Sequence, residues 1–120
     1  MKNFEIIIFN NLGKPIGTSN NSSIFKEKIL SAGLLYSIGE YITKLFTEKV
    51  NSLTLEKHKI VFERLKEITG AIVLNIGENE RAASNLLKKI LKELYLKGLD
   101  NINQINDILF NNIPNFGEKL

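Results

Sequence analysis

The period of the apolar positions changes along the chain, and each change marks an element. Phe4–Asn10 (FEIIIFN) is a near-continuous apolar run of strand length. Asn11-Leu12-Gly13-Lys14-Pro15 follows as a turn: Gly13 can supply a positive φ, and Pro15 is tolerated where no ladder donor is needed. Residues 16–19 return as the second strand of an antiparallel hairpin. The polar break Asn20-Asn21-Ser22-Ser23 offers N-caps for a long helix over about 24–47. In it Leu34, Ile38, Tyr41, Ile42 and Leu45 recur at spacings of three and four, with Leu30 and Leu35 beside them, marking a wide apolar stripe. Gly33 and Gly39 lie within it, and close packing against a neighbouring element is the expected reason for keeping them.

From Val50 the period becomes two. Residues 50–55 form one predicted strand and His58–Leu65 the next, with Ile60 and Phe62 on one face and Lys59, Val61 and Glu63 on the other. A turn is expected over 67–70, then a strand over 71–76 that is apolar on both faces and therefore central. Gly77-Glu78-Asn79 opens a second helix, over 79–99. There Ala83, Leu86, Leu87, Ile90, Leu91 and Leu94 share one side, while Lys88, Lys89, Lys92 and Glu93 occupy the other. Gly98 is the expected C′ residue. A third helix is predicted over about 101–112, capped by Asp100 or Asn101 with Ile105, Ile108 and Leu109 inward; Pro114 stops it within the tail 113–120. The order β-β-α-β-β-β-α-α predicts an α+β fold, an α/β sandwich with a five-stranded antiparallel sheet flanked by helices. With no repeat or linker, 1–120 reads as one domain.

Composition fits this picture. At 43% hydrophobic and 24% charged, 120 residues suffice for a folded domain. Absence of cysteine excludes disulfides and thiolate sites, and allows a reducing cytoplasmic setting. No stretch approaches the roughly 20 apolar residues of a membrane span. Glu5 interrupts the first apolar run, which is too short for a signal-peptide core. The expectation is a cytoplasmic protein that meets membranes only through a partner. The net charge of +3 is carried by lysine, with Arg64 and Arg81 the only arginines. Base and phosphate readout favour arginine, so nucleic acid is not an expected partner.

Candidate chemistry is sparse. His58 is the only histidine, placed in a turn beside Lys57 and Lys59 without a second histidine or cysteine for a metal. Asp100 and Asp107 lie near the C-terminal helix. Glu5, Glu63 and Glu67 read as solvated strand or turn residues rather than an acid–base pair. Ser22-Ser23 lacks a base and reads as an N-cap. Gly13-Lys14 lacks the rest of a phosphate loop. No catalytic, metal-ligating or cofactor-binding residue is assigned, and an enzyme is not expected.

Interface chemistry is better represented. Phe25, Tyr36, Tyr41 and Phe46 are many aromatics for one helix, more than one stripe can bury, so some are candidates for a protein interface. Lys88, Lys89 and Lys92, with Lys97, form a solvated face that could make an electrostatic contact. Edge strands of an open sheet, or the first helices, could pair two chains into a dimer.

The strand Phe4–Asn10, the turn Asn11-Leu12-Gly13-Lys14-Pro15, the long helix after a hairpin, and the three strands over 50–76 before a helix over 79–99 together resemble a longin domain. The resemblance covers about four-fifths of the chain and lies in element order and hydrophobic pattern. It implies a longin/profilin-like sheet and a non-enzymatic module of trafficking or tethering systems, pairing as a homo- or heterodimer and engaging Ras-like small GTPases. Roadblock domains are similar but place a helix before the first strand, whereas here a strand comes within a few residues of Met1. A SNARE role is not implied, because no coiled-coil motif follows. The Lys-, Asn- and Ile-rich composition suits an AT-rich genome, such as an archaeon's. The alternatives are a roadblock-like signalling scaffold, or a small-molecule sensor of PAS- or profilin-like topology with a cavity above the sheet.

Overall fold

The computed structural model describes residues 4–18 and 28–97, with side chains at 28–32 and Thr18 not described. Its elements are β1 (Phe4–Asn10), β2 (Pro15–Thr18), α1 (Lys28–Phe46), β3 (Ser52–Thr54), β4 (His58–Leu65), β5 (Ile68–Asn75) and α2 (Glu80–Lys97). The strands form one sheet in the order β2-β1-β5-β4-β3, with every neighbouring pair antiparallel. β5 is central, as its apolar sequence requires, and β1 beside it is also buried on both faces.

Because successive strand residues point to opposite faces, the sheet divides its apolar side chains between two layers. On one face Phe4, Ile6, Ile8, Val61, Ile72 and Leu74 pack with Ala83, Leu87, Ile90, Leu91 and Leu94 of α2. On the other, Ile7, Phe9, Ile60, Phe62 and Val73 pack with Leu35 of α1 and with Val50. α2 is held by an N-cap, the Ala82 N–H donating to Asn79 Oδ1 at 3.0 Å, with Glu80 at the positive end of its dipole. Gly70 lets α2 come close: a Cβ there would stand 3.0 Å from Leu87 Cδ2.

The β1–β2 turn is built on Asn10, whose Oδ1 accepts from the N–H groups of Leu12 (2.9 Å) and Lys14 (3.0 Å). Gly13 adopts φ +80°, and a Cβ on it would meet the Tyr36 side chain at 3.0–3.1 Å. Pro15 stands within β2, one residue earlier than predicted, where β2 is an edge strand and the register shifts beside Phe9.

Several expectations are corrected. The β4–β5 turn is Lys66-Glu67, not 67–70, and Thr69 and Gly70 belong to β5. Lys66 takes φ +57° there, a conformation usually given to Gly or Asn, so the turn carried no compositional mark. β3 shrinks from the predicted 50–55 to three residues, while Val50 is buried as an anchor ahead of it. Among the described residues, Gly33 and Gly39 show no close approach: a Cβ on either meets none of them within 4 Å. Glu5 is not solvated; it is fully buried and partnered, on the face it shares with Ile7 and Phe9. The third helix over about 101–112, the tail 113–120 and the start of the first helix at 24–27 lie outside the described residues.

Candidate protein-interaction surface

A helix places neighbours in sequence about 100° apart, so the doublets Leu34-Leu35, Tyr41-Ile42 and Leu45-Phe46 give α1 two adjacent apolar stripes. The structure divides them. Leu35 is buried against the sheet, and Tyr36 and Ile42 pack partly against the same cluster. Leu34, Tyr41 and Leu45, seven and four residues apart, share the other stripe. With Phe46 they are 58–65% exposed. Among the described residues, four large apolar side chains on one helix are thus left outside the packed core.

The four aromatic interface candidates consequently separate. Tyr41 and Phe46 lie on the surface. Tyr36 does not belong with them: its ring meets Phe9 edge-on, centroids 6.4 Å apart at 88°, and it backs the Gly13 turn. It is half-buried, on the side of α1 that faces β1. Phe25 lies outside the described residues. α1 ends at Thr47, whose N–H donates to the Thr43 carbonyl at 2.8 Å and whose φ is +54°, a strained value for a β-branched residue.

Between α1 and the β4–β5 hairpin lies a cleft of about 160 Å³, floored by Phe9, Leu35 and Phe62 and edged by Glu40, Lys49 and Arg64. The Arg64 guanidinium lies 5.8 Å from the Phe62 ring centroid. Burial lowers its pKa below the ordinary arginine value, while Glu63 and Glu40 act the other way. Ligand cavities usually run to about 300–1,000 Å³, so this cleft above the sheet is small for the sensor reading.

The remaining candidates for chemistry are dispersed. His58 begins β4, the first residue of the predicted strand and next to the Glu56-Lys57 turn, and its carbonyl accepts from the Leu55 N–H at 2.7 Å. Glu63 is half-buried, accepting a hydrogen bond from Ser84 Oγ of α2, while Glu67 is exposed in the hairpin turn. Lys59 Nζ and Glu80 Oε2 form an ion pair at 3.2 Å between β4 and the start of α2. Among the described residues no three His, Cys, Asp or Glu side chains stand close enough to hold a metal ion. Ser22, Ser23, Asp100 and Asp107 lie outside those residues. Among the described residues, no helix is long and apolar enough to cross a membrane.

Lys88, Lys89 and Lys92 are all exposed on α2, but they are not equivalent. Lys88 and Lys92 line a groove together with Tyr95 and Leu96; Lys89 does not. The sequence reading missed this groove. Its one signal was Tyr95-Leu96, two large apolar residues off the Ala83–Leu94 stripe.

Compared with known proteins, the chain matches no family model and no curated sequence.

Proposed function

We propose that this chain is a longin-like, non-enzymatic interaction module that binds a partner protein through the outer face of α1, a Ras-like small GTPase or a trafficking-type protein being the expected partner. The observation that carries the reading is the exposed stripe Leu34, Tyr41 and Leu45 with Phe46. Soluble monomers rarely keep large contiguous apolar patches without a use, and aromatic anchors dominate binding surfaces. The antiparallel five-stranded sheet with a helix on each face supports the resemblance that names the partner class. In this reading the protein acts in the cytoplasm, pairs as a homo- or heterodimer, and reaches membranes through what it binds.

The test is binding of the purified protein to Ras-like GTPases from its own genome, each loaded with GDP or a GTP analogue, with mass followed by light scattering. The expected result is a complex that depends on the bound nucleotide and is lost in Tyr41→Glu/Leu45→Glu. Absence of binding across the set, or binding indifferent to that double substitution, contradicts the proposal.

A further inference from the structure

On the side of the sheet opposite α1, α2 and the end of β4 enclose a second surface of different chemistry. Leu65 and the buried Leu91 line a groove of about 360 Å³, and Tyr95 (49% exposed) and Leu96 (72% exposed) project beside it. Arg64, Lys88 and Lys92 edge it, and Lys66 Nζ lies 6.0 Å from the Tyr95 ring centroid. Beyond Lys88 the depression continues along α2 to Arg81. Arg81, Lys88 and Lys92 are seven and four residues apart, so they stand in one row on the helix. None of the three has a carboxylate partner among the described residues. Glu63, which accepts from Ser84, and Glu80, which pairs with Lys59, line the continuation towards Arg81, whereas among the described residues the charged lining of the groove beside Leu91 is cationic alone. The groove therefore combines apolar lining and walls with a row of unneutralised cations.

We infer that this groove docks an acidic amphipathic segment of a partner protein, whose apolar side chains enter between Leu65, Leu91 and Leu96 while its carboxylates meet Arg81, Lys88 and Lys92. Three observations select this occupant. The charged side chains that line the groove beside Leu65 and Leu91 (Arg64, Lys88 and Lys92) are all cationic, which calls for an anionic partner. The cations from Arg81 to Lys92 extend over about 16 Å at 1.5 Å per helical residue, longer than a small carboxylate or phosphate can bridge. Leu91 lies at the base between two elements, where an inserted side chain reaches it and a flat lipid surface does not. The site is separate from α1, so its occupancy is independent of the GTPase reading.

The probe is a fluorescent peptide of about 15 residues, long enough as a helix to span the row, with Leu and Phe at helical spacing and Glu elsewhere. Saturable binding is expected, with backbone amide shifts confined to Leu65, Lys88, Leu91, Lys92 and Leu96. Affinity is expected to fall at least tenfold in Lys88→Glu/Lys92→Glu, with circular dichroism unchanged because both side chains are exposed. Arg81→Glu is expected to weaken binding less, and Leu96→Ser to weaken it without altering its salt dependence. Raising salt from about 0.1 to 1 M, which shortens the Debye length from about 10 to 3 Å, should also weaken it. The inference is overturned if the peptide does not bind or if the lysine substitutions leave affinity unchanged. It is equally overturned if a poly-glutamate peptide lacking apolar residues binds as well, or if only phosphatidylserine vesicles are bound.

Discussion

Over residues 80–94 α2 lays Ala83, Leu87, Ile90, Leu91 and Leu94 into the core and turns mainly charged and polar side chains outward, with Tyr95 and Leu96 exposed in its last turn, whereas over residues 33–46 α1 fully buries Leu35 and leaves Leu34, Tyr41, Leu45 and Phe46 exposed. The two helices also differ in how well they are made. Both carry a lysine in the last turn, Lys97 and Lys44, but α2 has an Asn79 cap and an acidic first turn, whereas α1 has no acidic residue in its first turn and carries Gly33 and Gly39. Up to Leu94 the sequence of α2 thus serves the fold. α1 has more apolar surface than its side of the sheet covers, and three of its four exposed large side chains, Leu34, Tyr41 and Leu45, lie in a single stripe. A buried side chain of this size contributes roughly 1.5–3 kcal/mol, so folding alone does not account for four that contribute little.

The sharpest way to break this comparison is to truncate equivalent side chains. Ile90→Ala in α2 is expected to cost about 2–5 kcal/mol, and Leu45→Ala in α1 less than about 1 kcal/mol, both read by urea unfolding. Equal losses would mean that α1 is packed like α2. Next in size is Gly13→Ala, which forces an alanine into φ +80° against the Tyr36 side chain. The left-handed conformation alone costs about 1–2 kcal/mol, and a stability loss of at least that amount is expected, since Tyr36 fixes how α1 meets the β1–β2 turn.

The smaller effects run the other way. Thr47→Gly relieves the strained end of α1 and is expected to stabilise by about 0.5–1 kcal/mol. Gly33→Ala, with nothing within 4 Å of the new Cβ, is expected to add about 0.5 kcal/mol, seen as a small rise in the thermal midpoint. A loss at Gly33 would reveal a neighbour packed against α1.

The same contrast explains how much the sequence disclosed. β1 was legible as a short continuous apolar run, β4 by its period of two and α2 by its single apolar stripe, and the doubly apolar strand was correctly central. The β4–β5 turn was not, because Lys66-Glu67 holds none of the residues that announce a turn while Thr69-Gly70 does. In α1 the apolar doublets left two faces equally eligible, and only the docking of Leu35 and Tyr36 beneath the Gly13 turn chose between them. That choice set Tyr36 half-buried against Phe9, apart from the exposed Tyr41 and Phe46. Glu5 was misjudged because a carboxylate within an apolar strand reads as solvated unless its neighbours in space are known. The groove at Leu65 and Leu96 joins residues 31 positions apart, which no local period can bring together.

The most direct test of the central claim, that the outer stripe of α1 is surface kept for a partner, is the unfolding free energy of Tyr41→Glu/Leu45→Glu, measured at low protein concentration to suppress self-association. The account expects a value within about 1 kcal/mol of the unsubstituted protein, with the circular dichroism spectrum retained. A loss of about 3 kcal/mol or more, the scale of burying unpaired charge, would show that the stripe is core and contradict the account.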